Sequence, residues 1–475
     1  METSNDSEFV ASTESDDSSV GSLATSVRSR RSRASTLALS LIEDIDEDDI
    51  CEITIDVLEQ IDDYMNNEIV MLSNPTFYGD MLETIATTVF NDWRCYSICE
   101  EDDDIYQEIH DFVEQVHEIY EDISNIPKRS IAYSNYIVKT PLSSDIERTL
   151  NKINALKNVP QPAQKTPEWF EFRNSLISAS NLWKTLGSEA NKNSLIYEKC
   201  QPVRNDYSKG NTGSAAHWGN KYEPVTVMIY EDMFKTTVGE FGCIRHPKYE
   251  FIGASPDGIN IDPTTEAFGR MLEIKNIVNR DITGIPKEEY WVQTQVQMET
   301  CDLEECDFME TRILEYPSED AFYEDTEKDY RGVVLHFIET DVTSATVNLP
   351  RYKYMPLNIP LEKEAIDSWI SEMKQSSRSE GLVLFTTLYW YLEEFSCVVI
   401  PRNRKWFAAA LPHIEDVWNI IVKERVEGYE HRATKKRTIK TLVTSSDNAN
   451  SYVIENMNMS NSICLIRLDE DGNPL

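Results

Sequence analysis

The sequence predicts an α/β core with an acidic helical region before it and a helix-rich region after it. From Thr166 to about Ile338, helix-like and strand-like segments alternate, the pattern of a sheet covered by helices. Between Leu41 and Ile126, apolar residues recur at helical spacing, as in Ile53, Val57, Ile61 and Met65 and again in Ile105, Ile109, Phe112 and Val116. Past the core, Trp369, Trp390, Trp406 and Trp418 lie in a stretch read as mainly helical. Within it, Leu382–Ile400 ("LVLFTTLYWYLEEFSCVVI") contains Glu393 and Glu394 and reads as buried helix plus strand, not as a membrane span.

The 475 residues allow two to four domains, and 40% hydrophobic with 10% aromatic residues supports a sizeable core. Lys and Arg number 45 against 83 Asp and Glu, a net charge of −38. That charge argues against broad non-specific nucleic-acid binding by the whole surface and leaves room for a local basic groove. The nine cysteines show no CxxC, so neither a zinc ribbon nor an iron–sulfur cluster has a ligand set. Their odd count suits a reducing compartment, and the N-terminus lacks an apolar signal core. A soluble, intracellular chain without membrane association is expected.

The chain divides into six stretches. Residues 1–40 are a Ser-rich, acidic tail expected to be disordered, with a basic island at Ser26–Arg33 ("SVRSRRSR"). Residues 41–126 form the acidic helical domain, where Arg94 is the only Lys or Arg against 26 acidic residues. Its acidic run Glu100–Asp104 precedes a helix, where carboxylates suit the helix dipole. The domain is either a solvated helical surface or a charge mimic that docks on a basic partner or in the chain's own groove. Residues 127–165 are a proline-bearing connector, 166–345 the core, 346–440 a helix-rich extension of it, and 441–475 a tail.

The chemistry centres on Ile252–Lys275. Phe251 and Ile252 followed by Pro256-Asp257-Gly258 read as a strand ending in a turn, and "RMLEIKNIV" as the next strand, paired with the first as an antiparallel hairpin. Alternation puts Glu273 and Lys275 on one face and Leu272 and Ile274 on the other, with Asp257 near Glu273 at one end of the sheet. Charges in a strand core are costly unless paired or metal-bound. Two converging carboxylates offer hard oxygens that suit Mg2+. A lysine beside them can orient or deprotonate a metal-bound water or stabilise developing negative charge. The set fits phosphodiester hydrolysis; a salt-bridged hairpin is the plain alternative.

Five stretches in register resemble the PD-(D/E)XK nucleases, and within them the family of lambda exonuclease and the YqaJ viral recombinases. They are "WFEFRNSLISAS" (Trp169–Ser180), "GNKYEP" (Gly219–Pro224), "GASPDG" (Gly253–Gly258), "LEIK" (Leu272–Lys275) and "YWVQTQVQM" (Tyr290–Met298). The resemblance implies a restriction-endonuclease-like core, a mixed sheet with helices on both sides. It implies that Asp257 and Glu273 bind metal with the Ile274 carbonyl, that Glu223 is the outer metal carboxylate, and that Lys275 and Gln293 act on the attacking water. Arg173 and Ser180 match the positions that bind a terminal 5′-phosphate, a role for which a guanidinium and a hydroxyl near a helix start are suited. Ser255 is read as a phosphate contact or a turn cap. Gln295 is placed on the same face as Gln293, as a supporting or structural residue. His217 and His246, which form no metal-spaced pair, are read as structural or substrate-adjacent.

Two features depart from the family pattern. No Cys-Pro follows Lys275, and the acidic domain and long C-terminal part resemble elaborated members from large DNA viruses, with Val399–Val422 similar to their C-terminal helical element. A phage-like ring is therefore not required, and the oligomeric state stays open, a homo-oligomer included. The implied activity is a Mg2+-dependent deoxyribonuclease, with Mn2+ as the alternative ion. Its expected form is a 5′-phosphate-preferring exonuclease on double-stranded DNA ends in viral recombination or repair, partnered with a single-strand annealing protein. If viral, it would act in host cytoplasm, nucleus or viral factory. The alternatives are an endonuclease of the same superfamily and a non-catalytic DNA-binding or interaction protein on the same fold.

Overall fold

The computed structural model describes residues 47–96, 98, 102–124, 126–136, 142–162, 166–203, 214–339 and 350–433. The tails at 1–40 and 441–475, and the basic island Ser26–Arg33, lie outside the described residues.

Helices α1 (Glu47–Asn67), α2 (Phe77–Cys95) and α3 (Asp103–Ile123) come first. Asp102 caps α3 by accepting the Asp104 amide at 2.8 Å, and Asp103 and Asp104 occupy its first turn, where the dipole favours negative charge. Val57, Ile61, Ile85, Ile109, Phe112 and Val116 are buried, so each helix hides one stripe and leaves its acidic face in water.

The core is built from β1 (Ile131–Ala132), α4 (Ser143–Asn158), α5 (Pro167–Asn174), β2 (Ile177–Ser178), α6 (Ala179–Leu182), α7 (Glu189–Cys200), α8 (Ala215–Phe234), β3 (Val238–Gly239), β4 (Ile244–Arg245), β5 (Ile252–Ala254), β6 (Gly258–Asn260) and β7 (Met271–Asn276). It continues through α9 (Glu288–Cys301), β8 (Glu305–Glu315), α10 (Glu319–Glu324), β9 (Arg331–Glu339), β10 (Arg351–Tyr354), α11 (Lys363–Ser379), β11 (Leu382–Pro401) and α12 (Arg404–Glu427). The larger sheet runs β10-β9-β11-β8-β7-β6-β3, with β1 added on β11, and a smaller one runs β2-β5-β4. In the larger sheet β7 and β8 are parallel and the other pairs antiparallel. The fold is thus a mixed sheet flanked by helices. Helix α9 makes the crossover that the parallel pair needs. Its Trp291, Val292 and Val296 join Met271 and Phe308 in one apolar cluster. On the opposite face, Tyr222, Val225 and Ile229 of α8 pack on Leu272, Ile274 and Met309.

The acidic helices dock behind α9. The 3-10 turn Ile69–Ser73 meets α12 and the Arg129 strap: Trp406 Nε1 donates to the Val70 carbonyl at 3.1 Å and Arg129 Nη2 to the Ser73 carbonyl at 3.0 Å. No helix among the described residues is long and apolar enough to cross a membrane.

Two local expectations change. Leu382–Ile400 is one long strand, not helix plus strand: register shifts at Leu384/Thr386 and Leu392/Glu394 insert extra residues that break the alternation. The partner of β7 is β6, not β5; the Pro256-Asp257 turn sends β5 into the smaller sheet.

Candidate active site

Strand β6 is short, pairing Gly258 with Leu272 and Ile259 with Met271. Beyond Leu272 that edge of β7 has no strand partner, and Asp257, just before β6, reaches it instead: its Oδ2 accepts the Ile274 amide at 2.7 Å. An extended residue points its amide and carbonyl to the same side, so the Ile274 carbonyl faces the same edge. Glycine is required at the corner, because a Cβ on Gly258 would lie 2.1 Å from Val238 Cγ1.

Glu273 is 0% exposed. Its Oε1 accepts from the Lys275 ammonium and from Gln293 Nε2, the latter at 2.6 Å, and its Oε2 accepts from Gln297 Nε2 at 2.6 Å. Lys275 Nζ also donates to Gln293 Oε1 at 3.3 Å and stands 4.8 Å from the Tyr290 ring centre. Glu273 and Lys275 therefore share the α9 face, while Leu272 and Ile274 pack toward α8. Burial pulls the Lys275 ammonium down, but Glu273 and Asp257 outweigh it and hold it above the ordinary lysine range.

The Asp257 carboxyl is pushed well above the usual carboxylate range, first by burial, then by Glu273 and by Glu223. This carboxylate crowding is the electrostatic setting a divalent cation relieves. Glu223 and Asp257 line a cleft of about 790 Å³ with Ser255, Glu231, Glu240 and Gln161. None of the lining residues comes from α1–α3, so the acidic helices do not fill it. Glu223, Asp257 and Glu273 are not drawn into one tight triad: among the described residues, the group with three ligand atoms within 4.8 Å of one another is His110, Asp111 and Glu114 on α3. Of the two carboxylates acting on Asp257, Glu223 is the weaker. Gly219, one turn before Glu223, has nothing within 4 Å of where a Cβ would stand.

A second cluster lies at the ends of two parallel strands. Strands β2 and β5 pair Ser178 with Gly253, so Ser180 and the Ser255–Asp257 turn both follow the same edge, where open α/β sheets gather their ligands. Arg173 Nη2 donates to Ser178 Oγ at 3.2 Å and Ser180 Oγ at 3.4 Å, and its guanidinium lies over the Trp169 ring at 4.6 Å. Lys199 Nζ holds the Arg173 carbonyl at 2.8 Å. Its ammonium is lowered to about 8, chiefly by burial, with Arg173 and Arg425 adding. Cys243 links the clusters: burial raises its thiol, while Ser255 and Arg173 both act to lower it.

Residues 168–304 match the family model described as the YqaJ-like viral recombinase domain. This segment is similar to that domain. All five motif stretches, Trp169 through Met298, fall inside it. Uncharacterized protein R354 of Acanthamoeba polyphaga mimivirus is 26% identical over 344 residues, which are 64% of this chain and 59% of that protein. The chain therefore spans about three fifths of that curated relative. Among solved structures, LHK-Exo in complex with dAMP is similar at 19% identity and a TM-score of 0.33, over 55% of this chain and 94% of that one. The alkaline exonuclease LHK-Exo from Laribacter hongkongensis gives 18% and 0.32 over the same shares.

Within and around the matched segment, one expected neighbour moves and two contacts are added. Gln293 and Gln295 lie on helix α9, where two residues turn through about 200°, so they do not share a face. Gln295 is structural: it donates to the Pro401 carbonyl at 2.9 Å and accepts the Asn403 amide at 2.7 Å. The residue that joins Gln293 on Glu273 is Gln297, at i+4; reading Tyr290–Met298 as a helix would have found it. Ser178 joins Ser180 on Arg173, a contact made legible only by β2 and the short helix after it. His246 caps a turn, its Nδ1 accepting the Lys248 and Tyr249 amides at 3.0 Å. His217 Nε2 pairs with the Tyr352 hydroxyl at 2.8 Å.

Proposed function

We propose that the chain is a Mg2+-dependent deoxyribonuclease that degrades double-stranded DNA from ends and prefers a 5′-phosphate, in viral recombination or repair. The observation that carries this is the meeting of Asp257 with the Ile274 amide at the open edge of β7, beside Glu273, Lys275 and Gln293. The donors fit a hard divalent cation: Asp257, Glu273 and the Ile274 carbonyl would hold it, with Glu223 further out. When bound, the ion would offset phosphate charge and make a water more acidic.

The chain's own groups do the rest. Gln293 and Gln297 fix the Glu273 carboxylate from both sides, so its orientation is set before substrate arrives. Lys275 Nζ is placed to donate to a phosphoryl oxygen as charge develops there. Gln293, through the amide that also meets Lys275, orients the attacking water. Arg173, Ser178 and Ser180 form a donor cluster suited to a terminal phosphate, and Ser255 lines the cleft with Asp257.

End-labelled duplexes, with and without 5′-phosphate, test this directly in Mg2+ and in EDTA. Expected is Mg2+-dependent release of nucleotides from ends, faster on phosphorylated ones. Cleavage of closed circular DNA at a comparable rate would replace the exonuclease with an endonuclease, and no cleavage in any divalent cation would remove the enzyme.

A further inference from the structure

Helix α8 rests on the β7–β8 face through apolar side chains, Tyr222, Val225 and Ile229 against Leu272, Ile274, Met309 and Ile313. Such contacts are non-directional, so they hold α8 on the sheet without fixing how far along β7 it sits. One polar cluster interrupts them. Strand alternation brings Asn276 to the face of Leu272 and Ile274, and its register partner on β8 is Thr311. Asn276 Oδ1 accepts from Thr311 Oγ1 at 2.7 Å and from Thr226 Oγ1 of α8 at 2.8 Å, and Asn276 Nδ2 donates to the Gly219 carbonyl at 3.1 Å. A carbonyl can only accept, so the amide has one orientation here. Thr226 and Thr311 are both buried.

The two grips on α8 bracket Glu223, since Gly219 comes one turn before it and Thr226 one turn after it. Between them Pro224 lies inside the helix. A proline has no N–H to give the carbonyl one turn back, here that of Asn220, and its ring crowds that carbonyl. Helix α8 is thus weakest where Glu223 leaves it, and Asn276 spans that point from the neighbouring strand. Glu223 lines the cleft with Asp257. A slip of α8 by one turn, about 5.4 Å, would carry the Glu223 carboxylate away from Asp257.

We propose that Asn276 is a positioning residue for the outer carboxylate: by tying α8 to β7 and β8 on both sides of Glu223, it sets the reach of that carboxylate toward a divalent cation at Asp257. A polar group among apolar ones costs stability unless its bonds are made. In return it selects one register, as a single buried asparagine does between the helices of a coiled coil. Apolar packing alone would tolerate neighbouring registers; the bonds of Asn276 to Gly219 and Thr226 do not. The inference rests on the nuclease reading, in which Glu223 binds metal.

The test titrates the full chain with MnCl2 by calorimetry in the absence of DNA, beside cleavage of duplex ends in Mg2+. Glu223→Gln identifies the binding event that belongs to the cleft. Asn276→Ala should weaken that event roughly 10- to 100-fold, the range for a residue that orients a metal ligand. Thr226→Val, which keeps the side-chain shape and removes one donor to Asn276, should weaken it less, and it carries the comparison if Asn276→Ala does not fold. In the Glu223→Gln background Asn276→Ala should add no further loss, because it acts through Glu223. Gln295→Ala, destabilised through Pro401 and Asn403, should bind Mn2+ as the wild type does, which separates positioning from general loss of stability. Wild-type affinity in the folded variants, or an equal loss with and without Glu223, overturns the role of Asn276 and spares the nuclease of a wild type that cuts. A wild type that neither binds Mn2+ in the cleft nor cuts in any divalent cation removes the nuclease, and the role of Asn276 with it.

Discussion

Two carboxylates on neighbouring strands, Glu273 of β7 and Asp307 of β8, are both 0% exposed, yet they are buried in different ways. Asp307 is sealed. It accepts from Tyr230 at 2.5 Å and Arg270 at 3.1 Å, both themselves buried, and Tyr133 and Tyr136 of the strap close over Arg270. Glu273 is held by an ammonium and two amides, but its neighbourhood opens: Lys275 keeps 21% of its side chain exposed, and Asp257 lines the cleft. Asp307 meets opposite charge and phenols; Glu273 meets the Lys275 ammonium on one side and the Asp257 carboxylate beside it. A buried acid alone marks nothing, since structural pairs look the same by burial. What separates a reactive site is like charge gathered at an opening.

Substitution can break that contrast. The largest effect should follow Lys275→Ala: a loss of about 10²–10⁴-fold in cleavage rate per folded molecule, beyond any cost in stability from unpairing Glu273, with duplex binding by the folded fraction retained, read by single-turnover cleavage beside a binding titration. A variant that cuts within threefold of wild type would make Lys275 as structural as Arg270. Asp307→Asn should do the reverse. It leaves Arg270 buried without its main counter-charge, a cost of about 3–5 kcal/mol, measured by urea unfolding, while the folded fraction cuts normally. A drop in cleavage without a drop in stability would show that the two acids are not separate in role.

The glutamines of α9 sharpen the same division. Gln297→Ala strips the Glu273 Oε2 of its donor and should cost about 1.5–3 kcal/mol in stability, together with a clear fall in cleavage. Gln295→Ala should cost about 1–3 kcal/mol by releasing Pro401 and Asn403, and leave cleavage per folded molecule unchanged. Parallel melts and rate measurements on the pair decide this, and equal loss of cleavage in both would undo the assignment of faces.

These contrasts also explain what the sequence makes legible. Glu273 and Lys275 are readable because strand alternation is local, and Asp257 because the Pro-Asp-Gly turn announces itself within three residues. Gln297 is hidden as long as the α9 segment is not fixed as helix, since a period of 2 pairs Gln293 with Gln295 and a period of 3.6 pairs it with Gln297. Strand β11 is disguised by its two bulges, each of which shifts the apolar phase. Arg270, just before β7, and Asp307 of β8 stand 37 residues apart and meet only through the fold, so no local pattern forecasts their pairing. The eightfold sheet is therefore less visible in the chain than the chemistry at its edge.

The smallest effect tests the crowding itself. Burial, Glu273 and Glu223 raise Asp257 above its unfolded value, so the folded state favours its protonated form. That contribution is present below the ordinary carboxylate range and is lost as pH rises through the folded value. Without a divalent cation and above that folded value, ionised Asp257 burdens the fold, and there Asp257→Asn should raise the melting temperature in EDTA by at least about 2 °C while abolishing cleavage. Near pH 4 the gain should vanish, because the wild-type group is already neutral there. A lower melting temperature for Asp257→Asn at high pH, where the wild-type group is ionised, would mean that the hydrogen bond to the Ile274 amide outweighs the repulsion, and Asp257 would then resemble Asp307, a group kept for structure rather than for binding a cation.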